Sequence, residues 1–204
     1  MAERERDLER LLTFVDAVVA IAMTLLVLPL VDVAREVQSG HVAELLGRHA
    51  DDLVGFLLSF LVIARLWTAQ HAILGPVVRQ SAVLLWLLLA WTLTIVFLPF
   101  PTALVTGTDD DGLAKALYIG TMALSSALLA LIALAVNRDQ DIRDTATGPD
   151  AAQAVGTTIA FLLALGISLA FPVTGYWPLL ILFLVDPAVR MVRAKSSPRP
   201  RADP

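Results

Sequence analysis

The sequence predicts an all-α, polytopic membrane protein with six transmembrane helices and both termini in the cytoplasm. Three observations predict it. Of 204 residues, 57% are hydrophobic and only 17% charged, whereas a soluble domain is ~45–50% apolar and ~25% charged. Apolar stretches recur along the chain at the ~20-residue length that crosses a bilayer. Lys and Arg are distributed very unevenly between the two sides of those stretches.

The first span is expected at 11–31. Its leading residues, Glu3 to Arg10, mix both signs. No small-residue cleavage pattern follows, so it reads as a retained helix and not as a signal peptide. Pro29 sits in its last turn and is expected to kink the outer end. Spans two to five are expected at 53–74, 82–105, 113–136 and 152–171, all nearly free of charge. The sixth, 174–192, is interrupted by Pro178, Asp186 and Pro187. Asp186 before Pro187 reads as an N-cap followed by a first-turn proline. Span six is therefore expected to end near Val185, with a short basic amphipathic helix after it. Residues 1–192 form one membrane domain on this reading, and 193–204 form a basic, Pro-rich, disordered tail.

With the N-terminus inside, the inner segments hold Arg4, Arg6, Arg10, Arg65, Arg79, Arg138, Arg143, Arg190, Arg193, Lys195, Arg199 and Arg201. The outer segments hold only Arg35, Arg48 and Lys115. The positive-inside rule fixes the expected orientation on that bias. The outer loops also carry Asp32, Glu36, Glu44, Asp51, Asp52, Asp109, Asp110 and Asp111. Such a face either concentrates cations or simply stays hydrated.

Several functions are disfavoured. With no cysteine there is no disulfide, thiolate metal site or Cys nucleophile. A net charge of −4 gives no sign of nucleic acid. The three histidines, His41, His49 and His71, are scattered. Neither a His-Glu-x-x-His pair, a Gly-x-Ser-x-Gly elbow nor a phosphate-binding glycine loop occurs. No enzyme, resident metal or cofactor is expected. The Thr-Val-Gly-Tyr-Gly filter of ordinary potassium channels and an Arg-rich voltage sensor are also missing. Tyr and Trp fall mainly near span ends, as interfacial anchors do.

Ionisable residues inside a membrane are costly and draw attention to function. Asp16, Arg65, His71 and Asp186 qualify, with Arg10 at the edge of span one. Arg10 and Asp16 stand about 240° apart around a helix axis and cannot pair on one helix. Each should find a partner on another helix, with His71 and Arg65 available to Asp16. Such a cluster reads as a structural clamp or as part of a permeation path. Ile21, Leu25 and Leu28 fall within about 60° of one another, with Thr24 beside them and Asp16 about 140° from Ile21. By periodicity, this stripe suits ordinary helix packing as well as a pore lining.

Arg10, Phe14, Val15 and Asp16 resemble the Arg-x-x-x-Phe-Ser-Asp hallmark of the endolysosomal potassium channel family and its bacterial homologues. Span two, with Trp67 and His71 four apart, is similar to that family's second helix. Span three, from Trp86 to Pro99, Phe100, Pro101 and Thr102, is similar to its third helix and the Pro-Phe-Pro-Thr turn after it. The resemblance covers residues 10–105; spans four to six match in length and hydropathy. It implies a homotetramer in the bilayer around a central pore lined by span one. It implies that Ile21 forms the narrow constriction, Leu25 and Leu28 further apolar rings, and Thr24 a hydroxyl ring for permeant potassium. It also implies that Arg10, Asp16, Trp67 and His71 form a network tying helices together near the cytoplasmic side. Val15 in place of the motif serine removes a hydroxyl from that network, and Gln70 stands where a second histidine often precedes His71.

The expected function is a modestly potassium-selective channel in the plasma membrane. The alternatives are a proton-coupled secondary transporter using Asp16 and His71, or a non-conducting membrane scaffold. Transporters commonly carry helices broken at midplane, and here the prolines are read as lying at span ends.

Overall fold

A computed structural model describes residues 2–35, 42–107 and 111–143. Within them the chain forms helices α1 (Ala2–Leu25), α2 (Leu28–Arg35), α3 (Val42–Arg48), α4 (Ala50–Leu74), α5 (Ala82–Phe97), α6 (Pro99–Gly107) and α7 (Gly112–Arg138). The expected fifth and sixth spans, Asp186 and the basic tail lie outside the described residues.

Four stretches are long and apolar enough to cross a membrane: Arg6–Ala34, Ala50–Leu74, Ala82–Gly107 and Gly112–Arg138. They correspond to the first four expected spans. Polar caps start two of them. The Ser81 hydroxyl accepts from Leu84 N–H at 3.2 Å to open α5, and Asp111 Oδ1 accepts from Leu113 N–H at 2.8 Å to open α7. Each satisfies a donor that a helix start would otherwise leave unpaired. Asp51 and Asp52 place negative charge on the first turn of α4, where the helix dipole favours it.

Two spans are broken by proline. α1 stops at Leu25 and α2 begins at Leu28, one residue before Pro29. α5 stops at Phe97, and α6 begins at Pro99. The expected Pro-Phe-Pro-Thr turn is therefore helical, with only Leu98 outside the helices. A proline in a first turn forfeits no bond within the helix it opens, but its missing N–H cannot reach back to the carbonyl four residues earlier, so the preceding helix cannot run on through it. Both breaks fall inside continuous spans and not at their ends, which corrects the reading of the proline positions.

The core follows a heptad-like spacing. Leu84, Leu88, Trp91 and Ile95 of α5 and Leu98 just after it are fully buried. They belong to one hydrophobic core with Met122, Ile132, Ala133 and Val136 of α7, Ile63 of α4, and Val15, Val19 and Ala22 of α1. α7 is the central span, with 61% of its apolar window buried, against 22% for the span containing α1. At one end Val78 N–H donates to Ile142 O at 2.8 Å, and Val77 forms an isolated antiparallel bridge with Arg143. These contacts fasten the α4–α5 connection to the short 3-10 helix Gln140–Ile142 that follows α7.

Two sequence expectations are corrected here. Arg65, counted with the inner charges and also read as an intramembrane residue, lies in the body of α4, so it leaves the loop charge tally without changing its sign. Lys115 is buried in the first turn of α7. Trp91 and Tyr118 are core residues and not interfacial anchors, because α5 and α7 pack on each other along these faces.

Candidate functional site

Two faces of α1 carry the candidate residues. Val15, Val19, Ala22 and Leu26 point into the subunit. Ile21 is 58% exposed, Leu28 54% and Leu25 40%. The stripe seen in the sequence is thus the uncovered face of the least buried of the four described spans, and another face of α1 does the packing. Thr24, also exposed, donates its hydroxyl proton to Ile21 O at 2.7 Å. That orientation turns the oxygen's lone pairs away from its own backbone.

Asp16 faces α4. The indole N–H of Trp67 donates to Asp16 Oδ1 at 2.9 Å. His71 Nε2 lies 3.6 Å from the same oxygen, which is an electrostatic approach and too long for a hydrogen bond. The Trp67 and His71 rings are 4.4 Å apart at centroids and inclined by 57°. His71 Nδ1 sits 3.2 Å from Trp67 O, one turn back. The spacing of four puts both rings on one face of α4, so that face meets the carboxylate with two nitrogen groups. Asp16 and His71 remain 40% and 45% exposed, which leaves the trio at the subunit's surface.

The structure brings together Asp16, Trp67 and His71 from the expected network. Arg10 is exposed on α1, and no hydrogen bond or ion pair joins it to those three. The two departures from the motif face elsewhere. Val15 is fully buried among core side chains and Gln70 is 1% exposed, so a hydroxyl at position 15 would sit in the core and not in this network. The Gln70 Oε1 atom is buried without a hydrogen-bond partner.

One polar cluster escaped the sequence. Ser59 Oγ of α4 lies 3.0 Å from Thr102 Oγ1 of α6 and 2.8 Å from Tyr118 OH of α7. All three residues are buried. No local pattern signals it, because the partners are 43 and 59 positions apart. Gly55, one turn earlier on α4, lets α6 approach: a Cβ there would overlap Thr106 Cγ2. Among the described residues no group of three or more His, Cys, Asp or Glu side chains is placed to hold a metal ion.

Comparison with known proteins places the chain in a family and gives a likeness of fold. The family model described as endosomal/lysosomal potassium channel TMEM175 matches residues 10–99, which contain α1 from Arg10 onward and the Trp67–His71 face. A potassium channel of Streptomyces collinus is 31% identical over 169 residues, covering 81% of this chain and 79% of that protein. The crystal structure of a lysosomal potassium-selective channel TMEM175 homolog from Chamaesiphon minutus superposes with a TM-score of 0.69 at 20% identity. It covers 94% of this chain and 100% of that one, a likeness of fold.

Proposed function

The chain belongs to the TMEM175 potassium channel family, and from that premise we propose that it conducts potassium passively and with modest selectivity. The subunit is a single membrane domain over 1–192 with a basic tail at 193–204. Four copies surround a pore lined by α1, with both termini cytoplasmic in the cell membrane.

The observation that carries the reading is the bare apolar stripe of α1. Ile21, Leu25 and Leu28 are exposed in the subunit, while the one carboxylate in the body of this span is turned onto α4. Fourfold repetition of the stripe gives stacked apolar rings with Ile21 the narrowest. Such rings gate by dewetting: they block ions when narrow and pass them when wide enough to hold water. Thr24 oxygens replace part of the ion's hydration at the constriction. Potassium gives up water more readily than sodium, so neutral oxygens favour it without a deep carbonyl filter.

The test is a reversal potential. Purified protein in a planar bilayer, with potassium on one side and sodium on the other, should give a current reversing toward the potassium equilibrium potential. Reversal near zero would remove the selectivity, and absence of current despite verified insertion would remove the channel.

A second reading, a proton-coupled transporter, draws support from the breaks at Pro29 and Pro99 inside two spans, since broken helices are common in transporters. Potassium flux that saturates and runs only with a proton gradient would favour it over the channel.

A further inference from the structure

We propose that the backbone carbonyl of Leu25, released from helical hydrogen bonding by Pro29, is a cation ligand in the pore beside the Thr24 hydroxyl. The inference rests on the reading of α1 as the pore helix.

The break supplies the first observation. α1 ends at Leu25 and α2 starts at Leu28, although the apolar sequence runs on without interruption. A helical carbonyl accepts from the N–H four residues later. For Leu25 that residue is Pro29, which has no N–H. The main chain re-routes around the gap. Val27 N–H donates to Thr24 O, three residues back, at 3.3 Å, and Val31 N–H donates to Val27 O at 3.1 Å.

The position of the break supplies the second. It lies inside the continuous span Arg6–Ala34, with Leu25 about 6 Å along the axis from Ile21. At that depth an unpaired carbonyl facing hydrocarbon is costly. Irregular backbone persists there only where protein covers it or where it lines water. A helical carbonyl projects near the azimuth of its own side chain, toward the helix C-terminus. Leu25 shares the exposed face with Ile21 and Leu28, which puts its carbonyl on the helix turn that carries the stripe assigned to the pore.

The third observation is the neighbouring hydroxyl. Thr24 has committed its proton to Ile21 O, which leaves its oxygen an acceptor. Adjacent residues thus supply a hydroxyl oxygen and a carbonyl oxygen within one helix turn, flanking the azimuth of Ile21 on either side. Four copies would make two rings of neutral oxygens, the ligand type that replaces the water of a potassium ion.

Pro29→Ala tests this by returning the missing N–H. In potassium/sodium bilayers the variant should still carry current, with its potassium-to-sodium permeability ratio reduced severalfold. An unchanged ratio overturns the inference, and the pore reading survives if Ile21→Ala in the same bilayers still raises conductance. If Ile21→Ala also changes nothing, the pore reading fails and takes the inference with it. A second variant covers the case in which Pro29→Ala does not assemble. An ester in place of the Leu25–Leu26 amide keeps both side chains and Pro29 while weakening the same carbonyl oxygen. It should lower the ratio in the same direction, and a wild-type ratio there overturns the inference by itself.

Discussion

The indole nitrogen of Trp67 donates to Asp16 Oδ1 at 2.9 Å, joining α4 to α1 across 51 positions of sequence. The bond fixes the rotation of α1. With Asp16 held on α4 and Val15, Val19 and Ala22 in the core, the Ile21 face is left uncovered. Trp67→Phe keeps a ring and removes the donor. It should cost about 1 kcal/mol, the middle of the range for a single hydrogen bond, because the carboxylate is partly exposed. Thermal unfolding in detergent reads the loss; a melting temperature equal to wild type would mean that the bond does not hold α1.

Ile21→Ala shortens the side chain proposed to form the narrowest ring. Single-channel conductance should rise, because a wider apolar ring stays wet more of the time. Thr24→Ala removes a hydroxyl oxygen without narrowing the ring and should lower the potassium-to-sodium permeability ratio. Bilayer recordings of both variants check these outcomes, and wild-type behaviour in both would take the pore away from α1.

Gly55→Ala places a methyl against Thr106 Cγ2, across the packing of α4 on α6. Overpacking of this kind costs about 1–3 kcal/mol. Thr106→Ser deletes the opposing methyl, so the double variant should recover most of the loss. Unfolding temperatures of the two single variants and the double variant give the coupling directly; additive effects would rule out this contact as the cause.

Ser59→Ala removes the shared member of the Ser59–Thr102–Tyr118 cluster. It breaks its bonds to Thr102 and Tyr118, at about 1 kcal/mol for each. Tyr118→Phe should then cost less in the Ser59→Ala background than in the wild type, since the Ser59 bond is already gone there. Denaturation in detergent micelles distinguishes this from two independent losses.

The four spans that the structure describes were legible in the sequence because a hydrophobic run of sufficient length is a local property. The predicted ranges 11–31, 53–74, 82–105 and 113–136 fall within Arg6–Ala34, Ala50–Leu74, Ala82–Gly107 and Gly112–Arg138. The relation of Ile21, Leu25 and Leu28 to Asp16 was legible for the same reason, since the 3.6-residue period fixes azimuths within one helix. So was the disturbance at Pro29, where the missing N–H is a matter of covalent chemistry.

By itself, then, the sequence determined which segments suit the bilayer, which residues share a face and where a helix must lose a hydrogen bond. The tertiary structure decided which face meets which neighbour. The contact of Asp16 with Trp67, the burial of Trp91 and Tyr118, the hydroxyl cluster at Ser59 and the close approach at Gly55 all join positions far apart in the chain. The tertiary structure also turned Val15 into the core. The physical reason is that periodicity fixes directions around one helix axis, whereas a partner across a packed interface depends on the rotation and depth at which two helices settle, and these come only from fitting all their side chains together.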